Sequence, residues 1–419
     1  MGDVERRLPF TLAAAIESIF IIMGFPEIFL RPCAMALDKW KLLLINPILI
    51  LLGLLWNTRT MTVGITPDYR KETIYLLTKT WHEGRQSFDL PGLEELIGKV
   101  GRIGQGFRPI YHLMPMMYAS VAYALRENGS FLYSTSKAYR KDIKRAKQRP
   151  ETKDDEREIN FAIGQTARQV HSCQQKYRIP ASLKEEISFL RKILLDDSIS
   201  LCTPLAHIVP RDPTWTGAAD SCKHSGGGWS VDLLFWWHVA YPQDVVYRAC
   251  LPNNKSNLMI SINVLEMVCV IINLAAAIFV CDHDKVDLSM YPIFLNLCDN
   301  MSSTTWVNKN CKYSLIGRRL ARFFIGLLMG TNIGIQAEWL STHANFIADD
   351  ISRLKDMNGD GNFDYSALKI TYPCLQPCRQ FQPSHTLLGM IWDILLRGSC
   401  PDPLMVAKLK SHALGQFIS

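Results

Sequence analysis

Long, uniformly apolar runs are scarce in this sequence, and only two segments approach the character of a membrane span. Leu42–Trp56 is apolar but falls short of the roughly 20 residues a helix needs to cross a bilayer, and it contains Pro47. Val264–Cys281 is longer but carries Glu266 near its start. An ionisable group in lipid is costly, so this segment reads as a buried core helix, and no membrane partner is expected. The polar start Met1–Arg7 is followed by no small-residue cleavage pattern, and the twelve cysteines form no even framework. The expectation is a reduced intracellular setting, cytoplasmic or nuclear, with thiols acting as small buried hydrophobes. Cys374, Cys378, His385 and Cys400 match no common zinc spacing. Charge of one sign is also scarce: the net charge is only +7, with a pI near 8.7. That balance suits an acidic partner such as nucleic acid but does not single one out.

What is present is enough apolar material for several cores. The chain has 419 residues, 48% hydrophobic and 20% charged, which allows two to four domains. Ala13–Met23 has helical apolar spacing and stops at Gly24. Asn46–Leu55 and Thr60–Ile65 read as two strands across a turn at Asn57–Arg59. Lys71–His82, Leu90–Arg102 and His112–Arg126 read as helices, the last broken or started by Pro115. Lys137–Arg149 holds seven basic residues against one Asp, and Glu151–Glu158 then turns acidic. This charge-segregated stretch is either a solvated face or a phosphate-contacting surface, with Lys141, Lys144 and Arg145 as contacts. Ser182–Asp196 is a further amphipathic helix, and Pro204–Pro213 leads into a new domain.

From there the expected order is β, β, β, α, β, α, β, α. The strands are Thr214–Asp220, Gly228–Val239, Asp244–Leu251, Pro292–Cys298 and Ile333–Leu340. The helices are Ser261–Cys281, Ser314–Leu328 and Phe346–Leu354. Arg318, Arg319 and Arg322 lie largely off the apolar stripe of the second helix. The pattern implies an α/β (α+β) domain built on one mixed sheet.

Four carboxylates sit at telling places in that pattern: Asp220 ends the first strand, Glu266 lies in the first turns of the long helix, Asp299 follows the fourth strand, and Asp349 starts the last helix. Ends of parallel neighbours collect at one sheet edge, where ligands usually bind. Carboxylates gathered there repel unless cations neutralise them. Two hard cations about 4 Å apart can activate water and stabilise the leaving oxygen of a phosphodiester. Each residue also has a purely structural reading. Glu266 could close a capping box from Asn263, Asp299-Asn300 could form a turn or cap, Asp349 could answer a helix dipole, and Asp220 could sit in a polar turn.

The motifs around these residues narrow the choice. Asp220-Ser221 with Gly226-Gly227-Gly228-Trp229, Ile262-Asn263-Val264-Leu265-Glu266, Cys298-Asp299-Asn300 and Asn345-Phe346-Ile347-Ala348-Asp349-Asp350-Ile351-Ser352-Arg353 occur in that order. Together they resemble the RNase H domain of retrotransposon pol proteins, gypsy-like or DIRS-like. The resemblance implies an RNase H-like mixed five-stranded sheet with flanking helices. It implies Asp220, Glu266, Asp299 and Asp349 as catalytic ligands of two Mg²⁺ or Mn²⁺ ions. The partner it implies is an RNA–DNA hybrid or other nucleic acid, gripped through phosphates and 2′-hydroxyls, with Arg318, Arg319, Arg322 and Asn300 as further contacts.

Upstream, Leu52-Gly53-Leu54 with Asn57–Val63 resembles the hairpin that closes a reverse transcriptase palm, and Leu93–Lys99 resembles the thumb that follows. The expected organisation is 1–66 palm fragment, 67–130 thumb-like helices, 131–204 helical connection, 205–355 RNase H-like domain and 356–419 helical tail. Polymerising members of the family carry a Tyr-x-Asp-Asp pair and an earlier Asp. Neither is present, so this chain is not expected to polymerise by itself, and the upstream part of a polyprotein becomes a candidate partner. The loop Trp339–Ala344 also departs from the family. His343 in it either assists product release, as a loop histidine does in some RNase H enzymes, or is simply solvated. Asp356–Asp364 imitates a calcium loop, but Ala367 stands where a bidentate Glu is required, so a polar turn is expected.

Overall fold

The computed structural model describes residues 48–127, 176–252, 258–309, 314–358 and 365–418, apart from positions 52, 58, 210 and 410. The sequence readings at 13–23, 137–149, 151–158 and most of 356–364 therefore lie outside the described residues. The first described segment is a three-strand meander, β1 (Ile48–Leu51), β2 (Leu54–Asn57) and β3 (Thr62–Ile65). The single strand expected over Asn46–Leu55 breaks at Gly53, whose φ of +73° is open to glycine but strained for other residues. The expected turn at Asn57 is present: its Oδ1 accepts the N–H groups of Arg59 and Thr60.

Helix α1 (Pro67–Tyr75) follows and ends in a π turn, Leu76–Thr80. The short strand β4 (Ser87–Phe88) precedes α2 (Leu90–Gly106), capped by Asp89, whose Oδ1 accepts from Gly92 N at 2.8 Å. Then come α3 (Pro115–Glu127), β5 (Tyr177–Arg178), α4 (Ala181–Leu195) and β6 (Cys202–Pro204). β6 returns to pair with β3, making the meander a four-stranded sheet. Leu93, Leu96, Val100 and Ile103 recur at three- and four-residue spacing on α2 and are fully buried in the same core as Leu183, Leu190 and Ile193 of α4.

The second core is built on a seven-stranded sheet. Its strands are β7 (Trp215–Ser221), β8 (Ser225–Ser230), β9 (Phe235–Ala240), β10 (Ile293–Cys298), β11 (Gly334–Trp339), β12 (Arg379–Pro383) and β13 (Gly415–Ile418). They lie in the order β11-β10-β7-β8-β9-β12-β13. β7, β10 and β11 are mutually parallel neighbours, and β8 runs antiparallel to both β7 and β9. The intervening helices are α5 (Gln243–Ala249), α6 (Ile262–His283), α7 (Met301–Asn308), α8 (Leu315–Met329), α9 (Phe346–Asn358), α10 (Tyr365–Thr371), α11 (His385–Arg397), α12 (Pro403–Ala407) and α13 (Ser411–Leu414).

Three sequence expectations need correction. Gly228–Val239 is two strands, because Ser230 and Asp232 fold the chain back. The Ser230 hydroxyl accepts from Leu233 N and donates to the Thr216 carbonyl, while Asp232 accepts from Thr216 N. Asp244–Leu251 is a helix: Pro242 sets its start, Asp244 and Arg248 match its dipole ends, and Arg248 reaches the Leu395 and Leu396 carbonyls. Residues 365–418 are not a separate helical tail. β12 and β13 extend the expected five strands to seven, and Phe381, Leu387 and Ile391 enter the same core as α6. α7 was not foreseen; its mixed polar face carries little periodic signal.

Helix α6 fills the space beneath one sheet face. It is long and apolar enough to cross a membrane, yet 94% of its most apolar window is buried within the protein. Its Asn273 accepts from Trp237 Nε1 (2.9 Å) and donates to Asn296 (2.7 Å), so these three buried polar side chains satisfy one another. Trp236, beside Trp237 on β9, joins the core on the other face with Ile351 of α9, as strand alternation requires. α9 can approach because β8 is glycine there. A Cβ on Gly227 would lie 2.4 Å from Ile351 Cγ2.

The two cores meet at α8. Its Arg322 is 2% exposed and pairs with Glu185 of α4 at 2.6 Å. Glu186 is buried beside it, accepting Met116 N at 3.0 Å, and burial pushes its carboxyl up to about 8 despite the pull of Arg322. The folded state therefore holds a proton that the unfolded chain releases near 4.5, so this stabilisation is full below 4.5 and is lost as pH rises through about 8. Glu186→Gln should flatten the fall in stability between pH 5 and 8 and leave the variant more stable at pH 8, in urea titrations at several pH values. A parallel pH dependence in both proteins would contradict this.

Two predictions about packing follow from the glycine strand. Gly227→Ala should cost about 1–3 kcal/mol, the usual penalty of overpacking, read as a lower thermal midpoint. Gly98→Ala on the open face of α2, where a Cβ meets nothing within 4 Å, should raise the midpoint by up to about 1 kcal/mol of stability.

Candidate metal centre

Three of the four carboxylates converge. Asp220, Glu266 and Asp299 each offer an oxygen, and these oxygens all lie within 4.8 Å of one another. The topology explains the meeting. β7 and β10 are parallel neighbours, so Asp220 near the end of one and Asp299 just past the end of the other reach the same edge. Glu266 comes from the second turn of α6, packed beneath β7. The capping-box reading of Glu266 fails: Ser261 precedes the helix without a side-chain cap, and Asn263 Oδ1 accepts instead from Asn300 Nδ2 at 2.8 Å.

Each carboxylate is held by named donors. Ser352 Oγ of α9 lies 2.7 Å from Asp220 Oδ2 and 2.8 Å from the Asp349 carbonyl oxygen. Ser221 N donates to Glu266 Oε1 at 3.3 Å, while the buried Oε2 has no hydrogen-bond partner. Thr342 donates to Asp299 Oδ2 at 2.8 Å, and Trp339 Nε1 donates to the Asp299 carbonyl at 2.9 Å. Asn345 Nδ2, just ahead of α9, reaches the Ala219 carbonyl at 3.4 Å and ties the helix to the strand that carries Asp220.

Burial and crowding shift the acids. Burial first, then Asp299 and Asp349, push Asp220 up to about 6, against the pull of Ser352 and Arg353. Burial, then Asp220 and Asp299, push Glu266 well above the ordinary carboxylate range. An all-oxygen set with an unpartnered buried carboxylate oxygen fits a hard divalent cation. The group gathered among the described residues is carboxylate alone, and burial pushes the neighbouring Cys269 and Cys298 thiols up, Cys298 to about 11.

The other expected site residues divide. Asp349 opens α9 beside the group but is not one of the three; its Oδ1 faces Arg353 Nε at 2.8 Å, and its charge still reaches Asp220 and Glu266. Asn300 lies at the mouth but caps α7, its Oδ1 accepting from Ser302 N and Ser303 N. His343 is exposed in the adjoining loop. Arg322 is corrected: it is buried in the pair with Glu185 and does not face the site. Arg318 and Arg319 are half-buried on the same helix; their charges act on Glu186 and Glu185 of α4, and Arg319 lies close to Gly398 beyond α11. Lys141, Lys144 and Arg145 lie outside the described residues. Sequence reasoning gave no role to Ser352, Thr342 or Trp339, although Ser352 and Trp339 stand in or beside the quoted motifs.

Comparison with known protein families, characterised proteins and solved structures finds no match to this chain.

Because Asp220 and Glu266 are protonated more readily in the folded protein, protein stripped of metal would lose stability as pH rises, from Asp220 through about 6. Glu266→Gln should raise the metal-free melting temperature at pH 7.5 by about 2–6 °C and abolish the further rise on adding Mn²⁺. The metal-free difference should shrink at pH 5. A lower melting temperature with an intact Mn²⁺ response would contradict the assignment.

Proposed function

We propose that this chain is a retroelement-derived RNase H-like endonuclease that hydrolyses the RNA strand of RNA–DNA hybrids. The observation that carries the reading is the convergence of Asp220, Glu266 and Asp299 at one edge of a mixed sheet, from the elements that the motif resemblance implies. The strands β9-β8-β7-β10-β11 accord with the expected five-stranded sheet, and Ser352 gives the Asn-x-x-Ala-Asp-x-x-Ser-Arg motif a physical role. On the same resemblance, 1–66 is read as a palm fragment, 67–130 as thumb-like helices and 131–204 as a helical connection, with no polymerase activity expected from this chain alone.

In this reading Asp220, Glu266 and Asp299 would hold Mg²⁺ or Mn²⁺, with Asp349, now paired with Arg353, as a candidate fourth ligand. The ions supply a water of lowered pKa and neutralise charge on the phosphodiester. Asp220 and Glu266 would have to be deprotonated to bind them, while Ser352 holds Asp220 Oδ2 and Thr342 holds Asp299 Oδ2. A second reading, a catalytically silent remnant that at most binds nucleic acid, is favoured by the Asp349–Arg353 pair.

End-labelled RNA–DNA hybrid incubated with the protein and Mg²⁺ or Mn²⁺ separates the two. The nuclease reading predicts RNA cleavage that Asp299→Asn lowers on the order of 10²-fold or more. Folded protein that takes up Mn²⁺ but leaves the hybrid intact favours the silent remnant.

A further inference from the structure

Trp339 is the last residue of β11, in register with Cys298, and so stands at the level of Asp299 on the neighbouring strand. Its indole N–H is fixed to the Asp299 carbonyl at 2.9 Å, yet the residue is 52% exposed. A tryptophan whose polar edge is satisfied and whose ring remains open offers a rigid flat surface with little entropy left to lose. Phe346 at the start of α9 and Met301 at the start of α7 are also exposed beside the acidic ligands. A cationic side chain in this place would be drawn onto the carboxylates, as Arg353 is drawn onto Asp349. An uncharged aromatic face escapes that competition. Arg322 of α8 does not supply the contact, since it is buried in the pair with Glu185 of α4.

We propose that Trp339 is a substrate-contact residue whose exposed indole face stacks on a sugar–base unit of the nucleic-acid strand presented to the carboxylate centre. The proposal rests on the nuclease reading and adds to it a sequence-tolerant contact, because every base has a π face. Stacking contributes affinity without releasing counterions, so its loss weakens binding at every salt concentration alike.

The test is fluorescence anisotropy of a labelled RNA–DNA hybrid with Ca²⁺ present, which reads binding apart from cleavage. Trp339→Phe and Trp339→Leu both lose the N–H to Asp299, so the difference between them reports the ring alone. Trp339→Leu should raise Kd about 5- to 100-fold, with the slope of log Kd against log salt unchanged. Trp339→Phe should bind within about threefold of the wild type, with melting curves showing both variants folded. Equal hybrid affinity of the Leu and Phe variants, or a salt slope altered in the Leu variant alone, overturns the stacking contact and leaves the nuclease reading standing. A wild-type protein that is folded and takes up Mn²⁺ but binds no hybrid overturns the reading itself, and the stacking with it.

Discussion

Like charges within one ion's reach of each other are the constraint around which this fold is arranged. Asp220 and Glu266 are each about 3% exposed, and their oxygens share a 4.8 Å neighbourhood with Asp299. Without a cation, the protein tolerates this only by retaining protons, which is why burial and mutual repulsion drive both buried acids upward. The surrounding elements keep the acids from separating. Parallel β7 and β10 fix two of them at one edge, the buried α6 fixes the third, and Ser352 and Thr342 hold individual oxygens.

The approach of α9 depends on backbone chemistry as much as on charge. Gly227 leaves room for Ile351 to rest on β8, and one turn of α9 then carries Asp349, Ser352 and Arg353 over the end of β7. Asn345 secures the start of that helix through the Ala219 carbonyl. Each polar residue of the Asn-x-x-Ala-Asp-x-x-Ser-Arg motif thus contacts either the strand bearing Asp220 or another member of the motif, while Ala348 is wholly buried. The dependence runs from a glycine strand through a packed helix to the position of an acid two elements away.

Much of this was legible in the residues. The elements bearing the acids had local signals: short strands running into a carboxylate, a long apolar helix, and acids at their ends. What was not legible depended on long-range partners. Arg322 looked solvent-facing on the helical stripe because Glu185 and Phe189, which enclose it, lie more than a hundred residues away. Asp244–Leu251 has β-rich composition but follows Pro242 and finds helical partners in α11. β12 and β13 are short strands that form only by adding to an existing sheet edge, which local patterning cannot reveal.

The account stands or falls on whether the three converging acids bind hard cations together. Diffraction from crystals soaked in Mn²⁺, collected for anomalous signal, tests this directly. The account predicts at least one strong peak about 2.0–2.5 Å from oxygens of Asp220, Glu266 and Asp299, with Glu266 Oε2 gaining its missing partner. A map with Mn²⁺ bound elsewhere on the protein and none among these three carboxylates would contradict it.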